Sequence, residues 1–517
     1  MVRNKWWTLG AVCTATFMLL LDITVVNVAL PDIARQLNAS FTDLQWVVDA
    51  YSLSLAAFML SAGSVADLLG RRRIFVAGLV VFSVASLLCG LAGSPTILNL
   101  SRALQGVGGA AMFSMSLALI AQEFHGRDRG TAFGIWGATI GAAVAIGPLV
   151  GGVLTDTLGW EYIFFVNLPI GAAAIYVALT RVGESKDPEG ARIDWVGLVT
   201  FSSALFLLVF ALVRGNAEGW TSTLILGFLI GSVVLLVVFV LAERSQEHPM
   251  LDLALFRKPA FTGVSVAAFA LSASMFAMFL YLTLYIQNVL AFKPLDAGLR
   301  FLPLTLVSFV VAPISGRLSG RIPVRILLGL GLALVGTGLL TMSGLTADSK
   351  WTHVLPGFLI AGAGVGMANP VIAATAVGVV PPKRSGMGSG ISNTFRQVGI
   401  ATGIAGLGAL FQHKLVTTIP HALANLPGNI AISPNGDFSG EALAGSTPDI
   451  VAGGLPPGPH EIVAHAFRAG YVDALNDLFV VGAVVAFVGA LAAFALVRNS
   501  DFIVSPSALA GEAGGAA

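Results

Sequence analysis

The chain is poor in charge. Only 11% of its 517 residues are Asp, Glu, Lys or Arg, whereas an ordinary soluble domain carries about 25%. Its 28 bases and 27 acids cannot cover a soluble fold of this length, and a formal net charge of +1 gives no bias toward nucleic acid. Two cysteines exclude a disulfide scaffold. Because 56% of the residues are hydrophobic, disorder is excluded too, and a polytopic membrane protein remains.

Enzyme motifs are also missing. The chain has no GxxxxGKS/T phosphate-binding loop, and its seven histidines form no ligand cluster. A GxGxxA pattern at residues 106–111 lies inside a continuous apolar stretch, where close helix packing explains the glycines better than a dinucleotide does. We therefore expect no enzyme activity, no metal site and no cofactor.

Long apolar stretches with almost no charge recur along the chain. They are continuous rather than alternating, which predicts helices and excludes an outer-membrane barrel. Each is long enough to cross a hydrocarbon core of ~30 Å. The fourteen stretches lie near residues 9–30, 46–66, 74–92, 98–122, 131–154, 161–180, 195–213, 221–242, 261–288, 299–315, 326–344, 353–377, 391–412 and 470–497. We predict an all-α polytopic membrane protein with 14 transmembrane helices.

The basic residues predict the orientation. Most of the 28 Lys and Arg residues fall in connections on the same side as the N-terminus, and such connections are cytoplasmic under the positive-inside rule. Both termini are therefore expected in the cytoplasm, with the protein in the cytoplasmic membrane. Residues 413–469 are expected to form a long, flexible outside loop, and residues 499–517 a flexible cytoplasmic tail, because both are rich in small residues.

Asp22 lies near the middle of the first apolar stretch. An acid at the centre of a membrane helix costs roughly 2.5–3.5 kcal/mol, so such a residue is expected to have a function or a partner. A carboxyl in a low dielectric can load and release a proton as its surroundings change. The alternative is a structural acid held by hydrogen bonds. Asp22 is also the only acid placed near a midplane, which argues against a pump specialised for dications.

Arg102 lies in the outer part of the fourth stretch. Gly106 and Gly109 follow at helical spacing, so another helix can approach closely beneath the guanidinium. Arg102 either extends to the outer surface or lines the interior, where it would tune the proton affinity of Asp22.

The fifth stretch is dense in glycine. Gly147 and Gly151 form a GxxxG pair, Gly152 follows, and Pro148 adds an expected bend. Close packing alone explains this pattern, and so does a helix that kinks during a conformational cycle.

A short connection follows the second stretch. It contains one acid and several bases in a small-residue turn, at Gly63, Asp67, Gly70, Arg71 and Arg72. This composition suits anchoring at the cytoplasmic face and also a salt-bridge latch between neighbouring helices.

Taken together, these motifs resemble those of the major facilitator superfamily, in particular its fourteen-helix drug:proton antiporter branch. Residues 63–73 resemble its motif A, although Leu68 stands where a base is usual. Residues 102–109 resemble motif B and residues 147–152 motif C. Residues 21–31 and 160–171 are also similar to segments of that branch. The resemblance implies proton coupling through Asp22 and Arg102, a conformational latch at motif A and export as the direction of transport.

An internal repeat predicts the domain organisation. Residues 316–325 echo residues 63–72, as expected for two parallel halves about an axis normal to the membrane. We expect one six-helix half in residues 1–181, a two-helix insert in 182–245 and a second six-helix half in 246–498.

The predicted function is export of lipophilic drugs or antibiotics in exchange for protons, by alternating access and as a monomer. Export of an endogenous metabolite or a self-made antibiotic, uptake of a nutrient, and a membrane-embedded enzyme or receptor are the alternatives. Adaptable side chains suit a cavity for varied ligands, although each is equally compatible with a core or lipid-facing position. The candidates for the cavity wall are Phe17, Met18, Asn27, Trp136, Met275, Phe279, Tyr281 and Tyr285.

Overall fold

The computed structural model describes residues 5–39, 41–185, 194–246, 251–381, 384–424 and 457–502, and this part of the chain is helical, without strands. The α-helices, in chain order, are α1 Lys5–Leu37, α2 Phe41–Leu69, α3 Arg71–Gly90, α4 Pro95–Glu123, α5 Gly126–Thr157, α6 Tyr162–Phe165, α7 Asn167–Arg181, α8 Trp195–Glu218, α9 Thr223–Ser245, α10 Pro259–Leu271, α11 Ala277–Leu284, α12 Pro294–Leu318, α13 Val324–Met342, α14 Leu355–Gly378, α15 Ser385–Ala424 and α16 Pro457–Leu496.

The predicted class, an all-α polytopic membrane protein, is confirmed. Within the described residues, 12 helical stretches are long and apolar enough to cross a membrane. Helices α6 and α7 together form one of these stretches. Helices α10 and α11 form another, Pro259–Val289, together with two π-helical segments. Helices α5 and α15 are not among the 12, so the count of 14 stays a prediction.

The ends of the expected 413–469 loop are helical. Helix α15 continues through Ala424 and α16 begins at Pro457. The α15 extension contacts the spanning part of α16, since the Lys414 ammonium lies 3.4 Å from Asp473 and 2.9 Å from Asp477, and Leu415 is buried. Residues 425–456 lie outside the described part of the chain. So does most of the expected tail, apart from residues 499–502.

The helices pack in two groups. In the first, α1 packs against α5 and α7, while α4 packs against α2 and α3. In the second, α13 lies between α14 and α16, and α12 packs against α14. The groups meet where α5 contacts α12 and where α2 and α4 contact α15. Helices α8 and α9 pack on each other, and α8 also contacts α2 and α15.

The α5–α12 contact is close enough to require glycine. A Cβ added at Gly130 would overlap the carbonyl oxygen of Gly316, and a Cβ at Gly316 would overlap that of Gly130. A turn further along, a Cβ at Gly134 would lie 2.5 Å from the Cα of Pro313. Backbone therefore contacts backbone across the two groups at this end of the helices.

We predict that Gly130→Ala destabilises the protein. The added methyl must push α5 away from α12, and overpacking of this kind costs about 1–3 kcal/mol. Gly227→Ala in α9 is the matched control, because its Cβ would meet nothing within 4 Å among the described residues. There the gain in helix propensity, about 1 kcal/mol, should stabilise the helix or leave it unchanged. The thermal unfolding midpoint of purified protein measures both. An unchanged midpoint in Gly130→Ala would contradict the close contact.

Candidate functional site

A buried ion pair joins α1 to α4. Nη1 of Arg102 lies 2.5 Å from Oδ2 of Asp22, and the two residues are only 1% and 2% exposed. Arg102 therefore points into the protein and does not extend to the outer surface. Asp22 accepts hydrogen bonds, as expected for a structural acid, and it also forms an ion pair with Arg102. Its role in proton coupling stays a prediction.

Two amides complete the surroundings of the carboxylate. Nε2 of Gln105 donates to Oδ1 of Asp22 at 2.8 Å, and Nδ2 of Asn167 donates to the same oxygen at 3.0 Å. Both amides also donate to Oγ of Ser86, at 3.4 and 3.0 Å respectively. Helices α1, α3, α4 and α7 thus meet at one polar cluster, with both Asp22 oxygens occupied by donors.

The guanidinium of Arg102 is held on its other sides as well. Its Nε donates to the carbonyl oxygen of Val47 at 3.0 Å, and its Nη1 donates to Oε1 of Gln105 at 2.7 Å. Its Cζ lies 4.3 Å from the centroid of the Tyr51 ring, a distance suited to a cation–π contact. Arg102 therefore links α4 to α2 as well as to α1.

Sequence reasoning found the two charges but not their polar neighbours. Gln105 and Asn167 lie in segments noted only for their resemblance to a family, residues 102–109 and 160–171, and those segments were the available signal. Ser86 gave no signal, because a lone serine in an apolar helix is commonplace.

The motif glycines let neighbouring helices approach this cluster. A Cβ at Gly106 would overlap the carbonyl oxygen of Tyr51 on α2, and one at Gly109 would press on Leu55 at 3.1 Å. A Cβ at Gly147 on α5 would overlap the Thr24 side chain on α1. Gly106 and Gly147 are thus needed for the packing of α4 on α2 and of α5 on α1.

The other glycines of the predicted α5 motif differ in how closely they are packed. A Cβ at Gly151 would lie 3.1 Å from the carbonyl oxygen of Val25, whereas one at Gly152 would meet no described atom within 4 Å. The Pro148 side chain lies outside the described residues.

Asp67 connects the two groups of helices. Its Oδ1 accepts from the backbone N–H of Gly386 at 3.0 Å, and its Oδ2 from that of Met387 at 2.9 Å. Both N–H groups belong to the first turn of α15, where the helix dipole favours a negative charge. Nε of Arg71 also donates to Oδ1, at 2.9 Å, and both side chains are buried. The predicted latch residue therefore contacts a helix terminus in addition to a base.

The remaining motif A residues bind the segment that follows α7. Arg71 donates to Oγ of Ser185 at 3.1 Å, and the backbone N–H of Arg72 donates to Oε1 of Glu184 at 3.1 Å. Gly70 has a φ of 118°, which disfavours any residue with a side chain. A Cβ at Gly63 would lie 2.5 Å from the carbonyl oxygen of Gly386, so α2 and α15 touch there.

The candidate cavity residues are spread over both groups. Met18 and Trp136 are buried in the apolar core of the first group, and Met275, Tyr281 and Tyr285 in that of the second. Trp136 donates to Oγ1 of Thr16 at 3.1 Å.

The other candidates differ in burial. Phe17 and Phe279 are half-buried, and the Asn27 side chain lies outside the described residues. Lining of a substrate cavity by any of the eight candidates stays a prediction.

Comparison with known proteins defines the class. The family model described as Major Facilitator Superfamily matches residues 12–404. Multidrug resistance protein Stp of Mycobacterium tuberculosis is 37% identical over 429 residues, which cover 83% of this chain and 80% of that protein. The tetracenomycin C resistance and export protein of Streptomyces glaucescens is 33% identical over 495 residues, covering 95% and 91%.

Solved structures share the fold. The proton:xylose symporter XylE has a TM-score of 0.63 and 13% identity, with 98% of each chain covered. The human organic anion transporter MFSD10 has a TM-score of 0.59 and 14% identity, covering 93% of this chain and 99% of its own. The chain is thus a multi-pass membrane transporter and not an enzyme. It belongs to the Major Facilitator Superfamily, and its relatives include multidrug and antibiotic resistance proteins, as the motifs predicted.

We predict that Asp67→Asn loosens the contact between α2 and α15. The amide loses the ion pair with Arg71 and turns an NH2 group toward a backbone N–H that needs an acceptor. Hydrogen bonds to a charged group contribute about 1.5–3 kcal/mol. The population in which this contact is open should therefore rise at least about ten-fold. Ser385→Cys reports this, because Ser385 is only 3% exposed and its labelling by an impermeant maleimide requires opening.

The labelling uses inside-out vesicles and a background in which Cys13 and Cys89 are replaced by Ala. Asp156→Asn, at an exposed position near the end of α5, is the control and should label like the parent. Equal labelling of the Asp67→Asn variant and its parent would refute the latch.

Proposed function

We propose that this transporter exports lipophilic drugs or antibiotics across the cytoplasmic membrane in exchange for protons. The observation that carries the proposal is the Asp22–Arg102 pair, an ionisable group buried among α1, α3, α4 and α7. Charges within membrane helices are generally retained for ion or proton pathways. The names of the relatives, which concern drug resistance and antibiotic export, support the substrate class and the direction.

Protonation and the ion pair compete for the same oxygen. Oδ2 of Asp22 faces Nη1 of Arg102, and Oδ1 faces two amide donors. A proton on Oδ2 would place a hydrogen against a guanidinium N–H, so the pair must separate when the carboxyl is protonated. Each proton that enters would thus release Arg102, and with it the contacts of α4 with α1 and α2.

Those released contacts are the means of coupling. A proton descending ~100 mV supplies about 2.3 kcal/mol before any pH gradient is counted. We propose that this free energy moves the two groups of helices relative to each other, breaking the Asp67 contact with α15 in one state and restoring it in the other. Substrate and proton would bind in opposed states, so that one leaves as the other enters.

The topology proposed for this cycle has 14 spans, with α5 and α15 added to the 12. Their lengths, 32 and 40 residues, and their packing between other spans support this count. Residues 1–181 and 246–498 would form the two halves, with 182–245 as the insert and both termini in the cytoplasm. We propose a monomer, driven by the proton gradient without a cofactor.

Export of a self-made antibiotic would use the same chemistry. The tetracenomycin relative is named for both resistance and export, so the same pump can serve both purposes. The sequence and geometry give no comparable support for nutrient uptake.

We predict that Asp22→Asn loses proton-driven transport. The amide cannot carry a proton through the cycle, so the variant should show no gradient-dependent flux, although it can still bind substrate. The measurement is accumulation of rhodamine B, a lipophilic dye, in proteoliposomes whose interior is made acidic. Wild-type protein should accumulate dye faster than protein-free liposomes, and Asp22→Asn at the rate of protein-free liposomes.

The matched control is Asp348→Asn, since that side chain is 87% exposed and should leave the flux unchanged. Gradient-independent flux in wild-type protein, or full gradient-driven flux in Asp22→Asn, would refute proton antiport through Asp22.

A further inference from the structure

The buried Arg396 has no acidic partner among the described residues. Arg396 on α15 is 4% exposed, and its Nη1 donates to Oδ1 of Asn369 on α14 at 2.7 Å. Its Nε and Nη2 have no hydrogen-bond partner among the described residues, and no described carboxylate forms a salt bridge with it. Arg102, by contrast, is paired with Asp22 and bonded through both Nε and Nη1. Of these two arginines, Arg396 is therefore the one whose charge no described carboxylate compensates.

An unpaired guanidinium is costly in an apolar interior. A buried charge is generally tolerated only when it is paired and hydrogen-bonded, and in a membrane helix it is expected to serve a substrate or ion. Asn369 supplies one neutral acceptor, which pairs with Nη1 but does not neutralise the positive charge of Arg396. A ligand that brings negative charge would remove this cost.

The two unpartnered groups lie on one edge of the guanidinium. Nε–H and Nη2–H point in parallel on the side away from Nη1, at the spacing of the two oxygens of a carboxylate. This edge is the one that forms bidentate pairs with planar anionic groups. The free donors of Arg396 thus match a carboxylate better than a single hydroxyl or carbonyl.

The guanidinium of Arg396 lies where the two groups of helices meet. The guanidinium carbon is 5.8 Å from the centroid of the Trp136 ring on α5, and a Cβ at Gly137 would contact Pro370 at 3.5 Å and Asn369 at 3.7 Å. Asn393, one turn before Arg396, donates to the carbonyl oxygen of Phe113 on α4 at 3.3 Å. A ligand on Arg396 would therefore touch α5 as well as α14 and α15.

Aromatic surface lies beside the charge. Phe113 stacks on Trp136 with centroids 6.0 Å apart, and Oδ1 of Asn393 has no partner among the described residues. These groups are buried in this state. To a ligand that enters between the two groups of helices they would present a bidentate cation, a flat apolar wall and an acceptor for a hydroxyl. Such a combination suits an aromatic compound that carries an acid group.

We propose that Arg396, with Asn369 and Trp136, binds the carboxylate of a lipophilic aromatic substrate. This site rests on the proposed export function and narrows its substrate class to compounds with an anionic oxygen group. Substrate then neutralises Arg396 as a proton neutralises Asp22, so each buried charge has its own partner in the exchange. Because the ligand bridges α5 and α15, its arrival and departure bear directly on how the two groups of helices pack.

The test compares two dyes that differ in one charge. Rhodamine B carries a free carboxylate, and its methyl ester has the same ring system without it. Binding to purified protein is followed by fluorescence polarisation, with no pH gradient present. Wild-type protein should bind the carboxylate form more tightly. Because a bidentate charge-assisted pair is lost, Arg396→Gln should weaken that binding about ten-fold and change ester binding less than two-fold.

Asn369→Asp gives a second variant of almost unchanged shape. It supplies Arg396 with an internal carboxylate, so it should lower affinity for rhodamine B while leaving the ester unaffected. Arg498→Gln, at an exposed position, is the control and should preserve the preference. Wild-type protein without a preference for the carboxylate, or variants that lose both dyes equally while remaining folded, would overturn the proposal. Since binding needs no gradient, failure here leaves gradient-driven flux through Asp22 intact, and failure of that flux leaves the dye preference intact.

Discussion

The ion pair between Asp22 and Arg102 is the interaction on which the packing of the first helices depends. Each charge would be costly to bury alone, because removing one partner of a buried pair typically costs about 3–5 kcal/mol. The pair draws α1 and α4 together, and glycine makes the approach possible, with Gly106 against α2 and Gly147 against α1. Asn167 brings α7 to the same carboxylate. A change in the protonation of Asp22 would therefore alter the packing of five helices, namely α1, α2, α4, α5 and α7.

The second group of helices contains a buried charge, Arg396, whose surroundings differ from those of the Asp22–Arg102 pair. Arg396 has a neutral partner in Asn369 and two donors without a partner in the described part of the chain. Among the described residues, this group thus carries an uncompensated charge where the first carries a balanced pair. The two groups are joined by Asp67 at the first turn of α15, the helix that also carries Arg396. Helix α15 thus connects the latch at one end to the proposed substrate site within its length, which gives a direct mechanical route between them.

Composition and charge patterning predicted the all-α membrane architecture, because a hydrocarbon solvent leaves few alternatives. Asp22 and Arg102 were predictable for the same reason, since a charge in an apolar helix is conspicuous. Their amide partners were not, because one polar residue in a helix carries no periodic signal. The helical ends of the 413–469 segment were also missed, since small residues predict a loop there and the contact of Lys414 with α16 joins residues far apart in sequence.

The central claim is that Asp22 carries the exchanged proton. It is tested most directly by measuring protons released when substrate binds to purified transporter in weakly buffered solution, with a pH-indicator dye. Wild-type protein should release protons in proportion to bound substrate, and Asp22→Asn should bind substrate without release. Equal proton release by both proteins would contradict it.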